Sequence, residues 1–339
     1  MRIMISAGGT VTAQSVVKAL REDGRAAYIA VCDMDELTAT KAFVDDFVLV
    51  PPASSPAFGA ACLDAVRRAG IELFVPLIVE REFLPLAALR KEFAAAGCRL
   101  WVPPERIVEA IGDKLAFAGF LRERNIPSPE TAAVHGDLVW DRFPAYVKPR
   151  RGSGSVGTTR VEGARAYRDA IAGREDLIVQ EALSGREFTV DCFASHPGRV
   201  VAAVPRERIA IKAGVSVKGR TYRDETIERI AADVVEKSGL VGPANVQGML
   251  AGDGSFSIIE MNPRFSGTLA LTTAAGINFA GLLLDCVQGI DVPDLRGRHL
   301  AGVSMARYWS EVFEMPDGSL RPGTPLGART GDEPTYSIV

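Results

Sequence analysis

A group of oxygen-bearing side chains lies near the ends of two candidate strands that a short turn connects. Asn245 and Gln247 are in the first strand, and Glu260 and Asn262 are in the second. If residues 252–255 form the loop between them, Gln247 lies directly opposite Glu260. Asn262 shares the face of Glu260, because side chains two residues apart on a strand point the same way. We therefore expect three oxygen ligands to converge.

This ligand set is typical of a hard divalent cation, Mg²⁺ or Mn²⁺. A site with few carboxylates suits an ion that keeps several waters and takes further ligands from nucleotide phosphates. Pro263 ends the second strand and directs Arg264 toward the same space, where a guanidinium can bind an anion through two parallel hydrogen bonds. The alternative is a polar strand end with a solvated arginine, and this segment alone does not decide between the two.

A lysine followed by a glycine-rich turn forms a second candidate site. Lys148 leaves a predicted strand and is followed by Gly152, Ser153, Gly154 and Ser155. Backbone N–H groups in such a turn, together with one ammonium group, can bind phosphates. The segment matches neither the Walker A spacing nor GxGxxG, and a flexible hairpin tip is the alternative.

A third segment ends a predicted strand before a small-residue turn. The exposed backbone of Gln180, Glu181, Ala182 and Leu183 can hydrogen-bond the edge of an adenine, and Glu187 is then placed for a ribose hydroxyl. The alternative is an ordinary strand-turn-strand unit with exposed acidic side chains.

A basic segment with interspersed glycines follows. Its five basic residues are Arg206, Arg208, Lys212, Lys218 and Arg220. We interpret it as a mobile loop that binds an acidic substrate through Arg206 and Arg208, with a solvated loop as the alternative.

Short apolar runs alternate with helical patterns over the first hundred residues. The predicted strands are 2–6, 27–31, 47–50, 72–75 and 99–102, and helices are predicted to end at Gly70 and, after residues 83–96, at Gly97. Such alternation predicts a doubly wound α/β domain with a parallel sheet.

The pattern changes after a predicted helix that begins near Asp113. The period shifts toward two from residue 146 to 204, which indicates antiparallel strands and an α+β fold. Residues 265–284 carry no charge, and we expect buried helices broken near Gly276, with a membrane span as the alternative. After about Met315, we expect an irregular tail.

The composition excludes several functional classes. The 339 residues carry 39 Lys and Arg against 42 Asp and Glu, a net charge of -3, which does not favour nucleic acid or an anionic membrane as a partner. The five cysteines are scattered and match no zinc or redox spacing, which is typical of buried thiols in a reducing compartment. With a short N-terminal apolar stretch, we expect a cytoplasmic protein.

The order of these segments resembles the ATP-grasp superfamily over about residues 1–310. Lys114, Lys148 with its glycine loop, the acidic hinge, and then the Gln, Glu, Asn and Arg of residues 247–264 follow one another as in the ATP-grasp half of the carbamoyl phosphate synthase large subunit. The segment 76–83 also matches, with Glu82 at an acidic position of the family. The implied organisation is an N-terminal α/β domain (1–110), an ATP-grasp domain of two antiparallel-sheet subdomains (111–310, lid about 125–183) and a tail (311–339).

The resemblance implies roles for the candidate residues. Lys114 and Lys148 contact the phosphates of ATP, residues 152–157 cover them, and residues 180–183 hold the adenine while Glu187 binds the ribose. The metal ligands correspond to Gln247, Glu260 and Asn262, and Arg264 corresponds to the arginine that holds an acyl phosphate. Gln and Asn replace acids of many relatives, which lowers the charge of the ligand set.

The implied activity is an ATP-dependent ligase that activates a small carboxylate as an acyl phosphate for attack by an amine or another nucleophile. A non-catalytic ATP sensor and a partial carbamoyl phosphate synthesis activity remain as alternatives. A dehydrogenase is disfavoured, because Ala7-Gly8-Gly9-Thr10 lacks the dinucleotide fingerprint. We expect small-molecule substrates and leave a homodimer open.

Overall fold

The computed structural model describes residues 1–135, 138–152, 154, 156–212 and 214–323. Its N-terminal part is a five-stranded parallel sheet in the order β3-β2-β1-β4-β5 with helices in the connections, which confirms the doubly wound arrangement. The elements are β1 (Arg2–Ile5), α1 (Val11–Asp23), β2 (Tyr28–Asp33), β3 (Asp46–Leu49), α2 (Phe58–Ala69), β4 (Leu73–Val75), α3 (Leu84–Ala87), α4 (Arg90–Ala95) and β5 (Arg99–Leu100).

The helix predicted over residues 83–96 is two helices. A single wide turn over Val79–Phe83 precedes α3, and Leu89 leaves the helical region before α4 begins. Pro85 explains part of the difference, because a residue without an N–H is tolerated only at the start of a helix.

Two helices and a four-stranded antiparallel sheet come next. The elements are α5 (Glu105–Gly112), α6 (Lys114–Glu123), β6 (Thr131–Ala133), β7 (Ala145–Pro149), β8 (Thr159–Val161), α7 (Ala164–Ile171) and β9 (Leu177–Glu181), with the sheet order β6-β9-β7-β8. Helix α7 packs through Tyr167 against Val147 and Val179 in a small separate core. We call this unit the small sheet.

A six-stranded antiparallel sheet, the large sheet, has the order β14-β13-β10-β11-β12-β15. Its elements are β10 (Arg186–His196), β11 (Arg199–Lys212), β12 (Val215–Thr221), α8 (Glu225–Ser238), β13 (Gly242–Leu250), β14 (Phe256–Asn262), α9 (Leu269–Ala274), α10 (Phe279–Gln288) and β15 (Ser304–Ala306). Two antiparallel sheets after a parallel one confirm the predicted fold class. The domain boundaries near residues 110 and 310 remain a proposal.

The uncharged stretch 265–284 forms two helices, α9 and α10, separated near Gly276 as predicted. Throughout the described ranges, each helix is too short or too polar to traverse a bilayer.

The tail is more regular than expected up to residue 323. Strands β16 (Val312–Glu314) and β17 (Leu320–Pro322) pair in a hairpin, so the prediction of an irregular tail is wrong there. Asp317 and Gly318 form its turn, in which Asp317 accepts the N–H of Ser319 at 2.9 Å and Gly318 has a φ of 81°. The remainder of the predicted tail, 324–339, lies outside the described residues.

Candidate active site

The predicted pairing of Gln247 with Glu260 is confirmed, and Asn245 lies opposite Asn262. A bulge follows these pairs on the turn side, where Gly248 pairs with Ile258. The predicted loop 252–255 is wrong, because Leu250 pairs with Phe256 and the loop comprises residues 251–255. The bulge offsets this shift by one residue and restores the predicted pairing at the site. Polar side chains of β13 and β14 therefore share one end of the large sheet.

The three candidate metal ligands are half-buried and lie within a hydrogen-bond network. Glu260 Oε1 accepts a hydrogen bond from Asn262 Nδ2 at 3.0 Å. Gln247 Oε1 accepts one from Arg208 Nη1 at 3.1 Å. The set holds one carboxylate, and among the described residues no three His, Cys, Asp or Glu side chains cluster closely enough to hold a metal ion, so the candidate site depends on amide oxygens.

Arg264 begins the segment that leaves β14. Its backbone N–H donates to Asn262 O at 2.8 Å, and its guanidinium donates to Phe265 O at 2.8 Å. Within the described ranges no carboxylate lies within 4 Å of this half-buried guanidinium. Burial lowers the pKa of Arg264, and the charges of Glu80 and Glu260 oppose that effect.

Lys114 is placed by the start of α6. Asp113 caps the helix through the N–H groups of Leu115 and Ala116 and pairs with Arg150 at 2.7 Å. Lys114 Nζ donates to Gly152 O at 2.6 Å, which ties the helix start to the glycine-rich segment. Burial lowers the pKa of Lys114, while Glu260 and Glu80 raise it.

Lys148 lies on β7, and its ammonium donates to Gln180 Oε1 at 2.7 Å. Burial lowers its pKa to about 8, Glu260 opposes this shift, and the positive charge of Lys114 adds to it. The fold therefore brings both predicted lysines within electrostatic range of Glu260.

The glycine-rich segment has the backbone that only glycine adopts readily. Gly152 and Gly154 have φ angles of 114° and 67°, and the space beside their Cα atoms is open. Ser153 and Ser155 lie outside the described residues.

The predicted adenine-binding segment, 180–183, is placed at the end of β9. Gln180 is 5% exposed and donates to Thr131 Oγ1 at 2.9 Å, so its side chain is already occupied. Ala182 N–H donates to Pro144 O at 2.9 Å, and Glu181 N–H donates to Glu130 O. Among residues 180–183, only the backbone N–H of Leu183 has no hydrogen-bond acceptor in the described structure.

The basic residues 206–220 do not form a mobile loop, which corrects the prediction. They lie on β11 and β12, which pair as a hairpin. Arg206 is 2% exposed and pairs with Asp191, so it cannot contact a substrate. Arg208 pairs with Glu187 at 2.5 Å, the residue predicted to bind a ribose.

Two acidic residues escaped the sequence analysis. Asp191, 1% exposed on β10, accepts hydrogen bonds from Arg206, from Asn245 at 3.0 Å and from Thr272 at 2.6 Å. The sequence does show Asp191 as a single acidic residue within an apolar strand, and such a pattern indicates a buried charge that must have hydrogen-bond partners.

The other is Glu80, which is exposed and whose charge acts on both Lys114 and Arg264. Glu82, which the resemblance places at an acidic position of the family, is buried, with 5% of its surface exposed. It accepts hydrogen bonds from Ser6 Oγ at 2.5 Å and from Ile78 N–H at 2.9 Å, and thus holds the preceding turn.

The two antiparallel sheets after a parallel one are those of the ATP-grasp fold. Residues 173–307 match the family model described as "ATP-grasp in the biosynthetic pathway with Ter operon", and residues 3–101 match "PylC-like, N-terminal domain". Residues 173–307 are thus an ATP-grasp domain, the part of the chain that this family model matches.

Relatives with known activities are distant. The chain is 27% identical over 153 residues to D-alanine–D-alanine ligase of Aquifex aeolicus, covering 41% of this chain and 53% of that protein. It is 24% identical over 318 residues to the carbamoyl phosphate synthase large chain of Clostridium perfringens, covering 76% of this chain and 28% of that one. The chain thus spans about half the length of the first of these relatives.

A solved structure with the same fold is N5-carboxyaminoimidazole synthetase from Staphylococcus aureus complexed with ADP. Its TM-score is 0.67 at 13% identity, covering 86% of this chain and 78% of that one. At this identity the likeness establishes the fold alone.

Proposed function

We propose that this protein is an ATP-dependent ligase. It activates a small carboxylate as an acyl phosphate, which an amine or another nucleophile then attacks, with release of ADP and phosphate. The relatives that are ligases support the class of reaction, and the identity of both substrates is left to experiment.

The observation that carries this proposal is a group of three cations that have no close carboxylate partner. Lys114, Lys148 and Arg264 belong to different elements, and in the described structure none has a carboxylate within 4 Å. Glu260 acts on all three from a greater distance and Glu80 acts on Lys114 and Arg264, so a bound anion would supply the close partner that these half-buried cations lack. A triphosphate and an acyl phosphate supply such anions.

The oxygen donors of Gln247, Glu260 and Asn262 fit a hard divalent cation such as Mg²⁺ or Mn²⁺. A carboxylate with two amide oxygens offers no soft ligand, and the half-burial of all three leaves room for water and phosphate ligands. When bound, the cation supplies charge neutralisation for the phosphates.

The chain's own residues then act by positioning and charge. Lys114 and Lys148 hold the phosphates while a substrate carboxylate oxygen attacks the terminal phosphorus and the bond to ADP breaks. Arg264 holds the resulting acyl phosphate, the nucleophile attacks its carbonyl carbon, and phosphate departs with the bonding electrons. This chemistry requires no covalent protein nucleophile.

The test is ADP release with Mg²⁺ over a panel of amino acids and small carboxylates, each combined with amines. We expect Glu260→Ala and Arg264→Ala to lower kcat by on the order of a hundredfold, because each removes a preorganised group worth about 3 kcal/mol. Arg296→Ala is the matched control, since Arg296 pairs only with the exposed Asp294 at 2.7 Å.

ADP release at the wild-type rate by folded Glu260→Ala or Arg264→Ala would reject the assigned roles. Nucleotide binding without ADP release from any combination would favour the ATP sensor instead.

A further inference from the structure

We propose that Arg307 binds an anionic group on the nucleophilic substrate, which is then an amine that also carries a carboxylate or a phosphate. The inference rests on the ligase activity proposed above and names the class of its second substrate. Arg307 is absent from the motifs that the sequence analysis identified.

Arg307 directly follows β15 at the edge of the large sheet, and two backbone carbonyl groups hold its guanidinium. Its Nη2 donates to Gly267 O, and its Nε donates to Ser216 O at 3.3 Å. Gly267 is only three residues from Arg264, a separation of at most about 10 Å. The guanidinium is therefore fixed beside the segment that carries the proposed acyl phosphate arginine.

The charge of Arg307 is not compensated. It is half-buried, and in the part of the chain that the structure describes no carboxylate lies within 4 Å of it. Its neighbours differ in this respect, because Arg206 pairs with Asp191 and Arg208 with Glu187. Burial and the positive charge of Arg206 both lower the pKa of Arg307.

The two carbonyl partners fix the guanidinium without neutralising it. They occupy two of its five N–H donors, and in the described structure the guanidinium donates no other hydrogen bond. A half-buried cation with open donors is stabilised by an anion that accepts two parallel hydrogen bonds. A carboxylate and a phosphate both have that geometry.

Three parts of the molecule meet around this guanidinium. Gly267 lies against Thr12 of α1 and Val215 of β12, and Ser15 of α1 donates to Gly267 O at 3.3 Å. Helix α1, strand β12 and the segment after Arg264 thus pack together at Gly267. Since the lysines and Arg264 are assigned to ATP and the acyl phosphate, we assign Arg307, which is held at Gly267, to the nucleophile.

The experiment compares charged and neutral nucleophiles in the ADP-release assay. The panel contains the standard α-amino acids with their α-amides, and 2-aminoethyl phosphate with ethanolamine. We expect the wild type to prefer the acid of each pair, and the preferred pair distinguishes carboxylate from phosphate. For Arg307→Gln, we expect the KM of the acidic nucleophile to rise at least about tenfold, the effect of losing hydrogen bonds to a charged group, while the KM values of its neutral counterpart and of ATP stay within about twofold.

Arg220→Gln is the matched control, because Arg220 is an exposed arginine at the same sheet edge that donates to Ser304 Oγ at 3.0 Å. If Arg307→Gln does not fold, Arg307→Lys keeps the charge without the paired donors, and a selective rise in the KM of the acid of about threefold or more supports the proposal.

Equal use of acids and neutral amines by the wild type would overturn the inference and leave the ligase activity standing. A rise in KM for both members of a pair would also overturn it, since Arg307 would then only position the Gly267 segment. No ADP release by the wild type with any combination would overturn the ligase proposal itself, and this inference with it.

Discussion

At the scale of single residues, Lys148 shows how burial changes the chemistry of a predicted ligand. It lies on β7 next to the buried Val147, and in the described structure its ammonium donates to one neutral partner, Gln180. With a pKa of about 8, the side chain is cationic at neutral pH and loses its charge as the pH rises through 8. The same residue in water would stay charged well beyond pH 9.

We therefore expect kcat/KM for ATP to fall above about pH 8, approaching tenfold per pH unit, because kcat/KM follows groups of the free enzyme. The pH profile of kcat should fall only at higher pH, since bound phosphates favour the ammonium form. Lys148→Arg, which stays charged in this range, should remove the fall near pH 8. A profile of kcat/KM for ATP that is flat to pH 9 in the wild type would contradict the assignment.

At the scale of elements, a buried network joins the Arg264 segment to the large sheet. Ser266 Oγ accepts from Arg206 Nη2 at 3.0 Å and from Thr268 N–H at 3.1 Å. Arg206 in turn pairs with Asp191, which also accepts a hydrogen bond from Asn245, two residues from the proposed metal ligand Gln247. The network thus fixes the segment after Arg264 relative to β10, β11 and β13.

Ser266→Ala should lower kcat by about tenfold, because the Arg264 segment loses one of its attachments to Arg206 and Asp191 while all proposed ligands remain. Thr272→Val is the control, since it removes a hydrogen bond of 2.6 Å to the same Asp191 from α9 and does not touch that segment. Both variants should lose about 1–3 kcal/mol in free energy of unfolding. An equal kcat in the two variants, measured together with urea unfolding, would show that the network acts on stability alone.

At the scale of the whole molecule, the parallel sheet and the large sheet share one apolar core. That cluster contains Ile5 and Val31 from the first sheet, Phe193 from the second and Phe279 from α10. The small sheet has its own core around Val147 and Tyr167. We infer that the first two sheets support each other and that the small sheet is the unit free to move, as a closing lid requires.

A substitution at Gly242 tests how tightly the parallel sheet and the large sheet pack together. Its φ is 99°, and a Cβ there would lie 2.6 Å from Trp101 Nε1. Gly242→Ala should therefore cost backbone strain and also displace Trp101, an overpacking cost of about 1–3 kcal/mol. Gly198→Ala is the control, because Gly198 also has a positive φ, 74°, but faces open space.

The measurement is the urea midpoint of both variants, followed by circular dichroism. The destabilisation of Gly242→Ala should exceed that of Gly198→Ala by the overpacking cost. Equal midpoints would mean that the Trp101 side chain moves aside at little energetic cost and that the junction is not tightly packed.

The sequence by itself determined the features that depend on neighbours along the chain. Alternating periods predicted the parallel sheet followed by antiparallel ones, and the short connection between β13 and β14 predicted their hairpin, although the exact pairing of Gln247 with Glu260 also depends on the bulge at Gly248. These follow from strand geometry and turn length, which act over a few residues.

Only the tertiary structure decided which charges are free. The sequence predicted that Arg206 and Arg208 bind a substrate. In the structure, Asp191 and Glu187 of the neighbouring strand β10 form ion pairs with Arg206 and Arg208, respectively. Arg307 carried no sequence signal, and in the described structure no carboxylate partner is within reach of it. The reason is physical: the role of a charge depends on its counterions and burial, which residues far apart in sequence supply only when the sheets assemble.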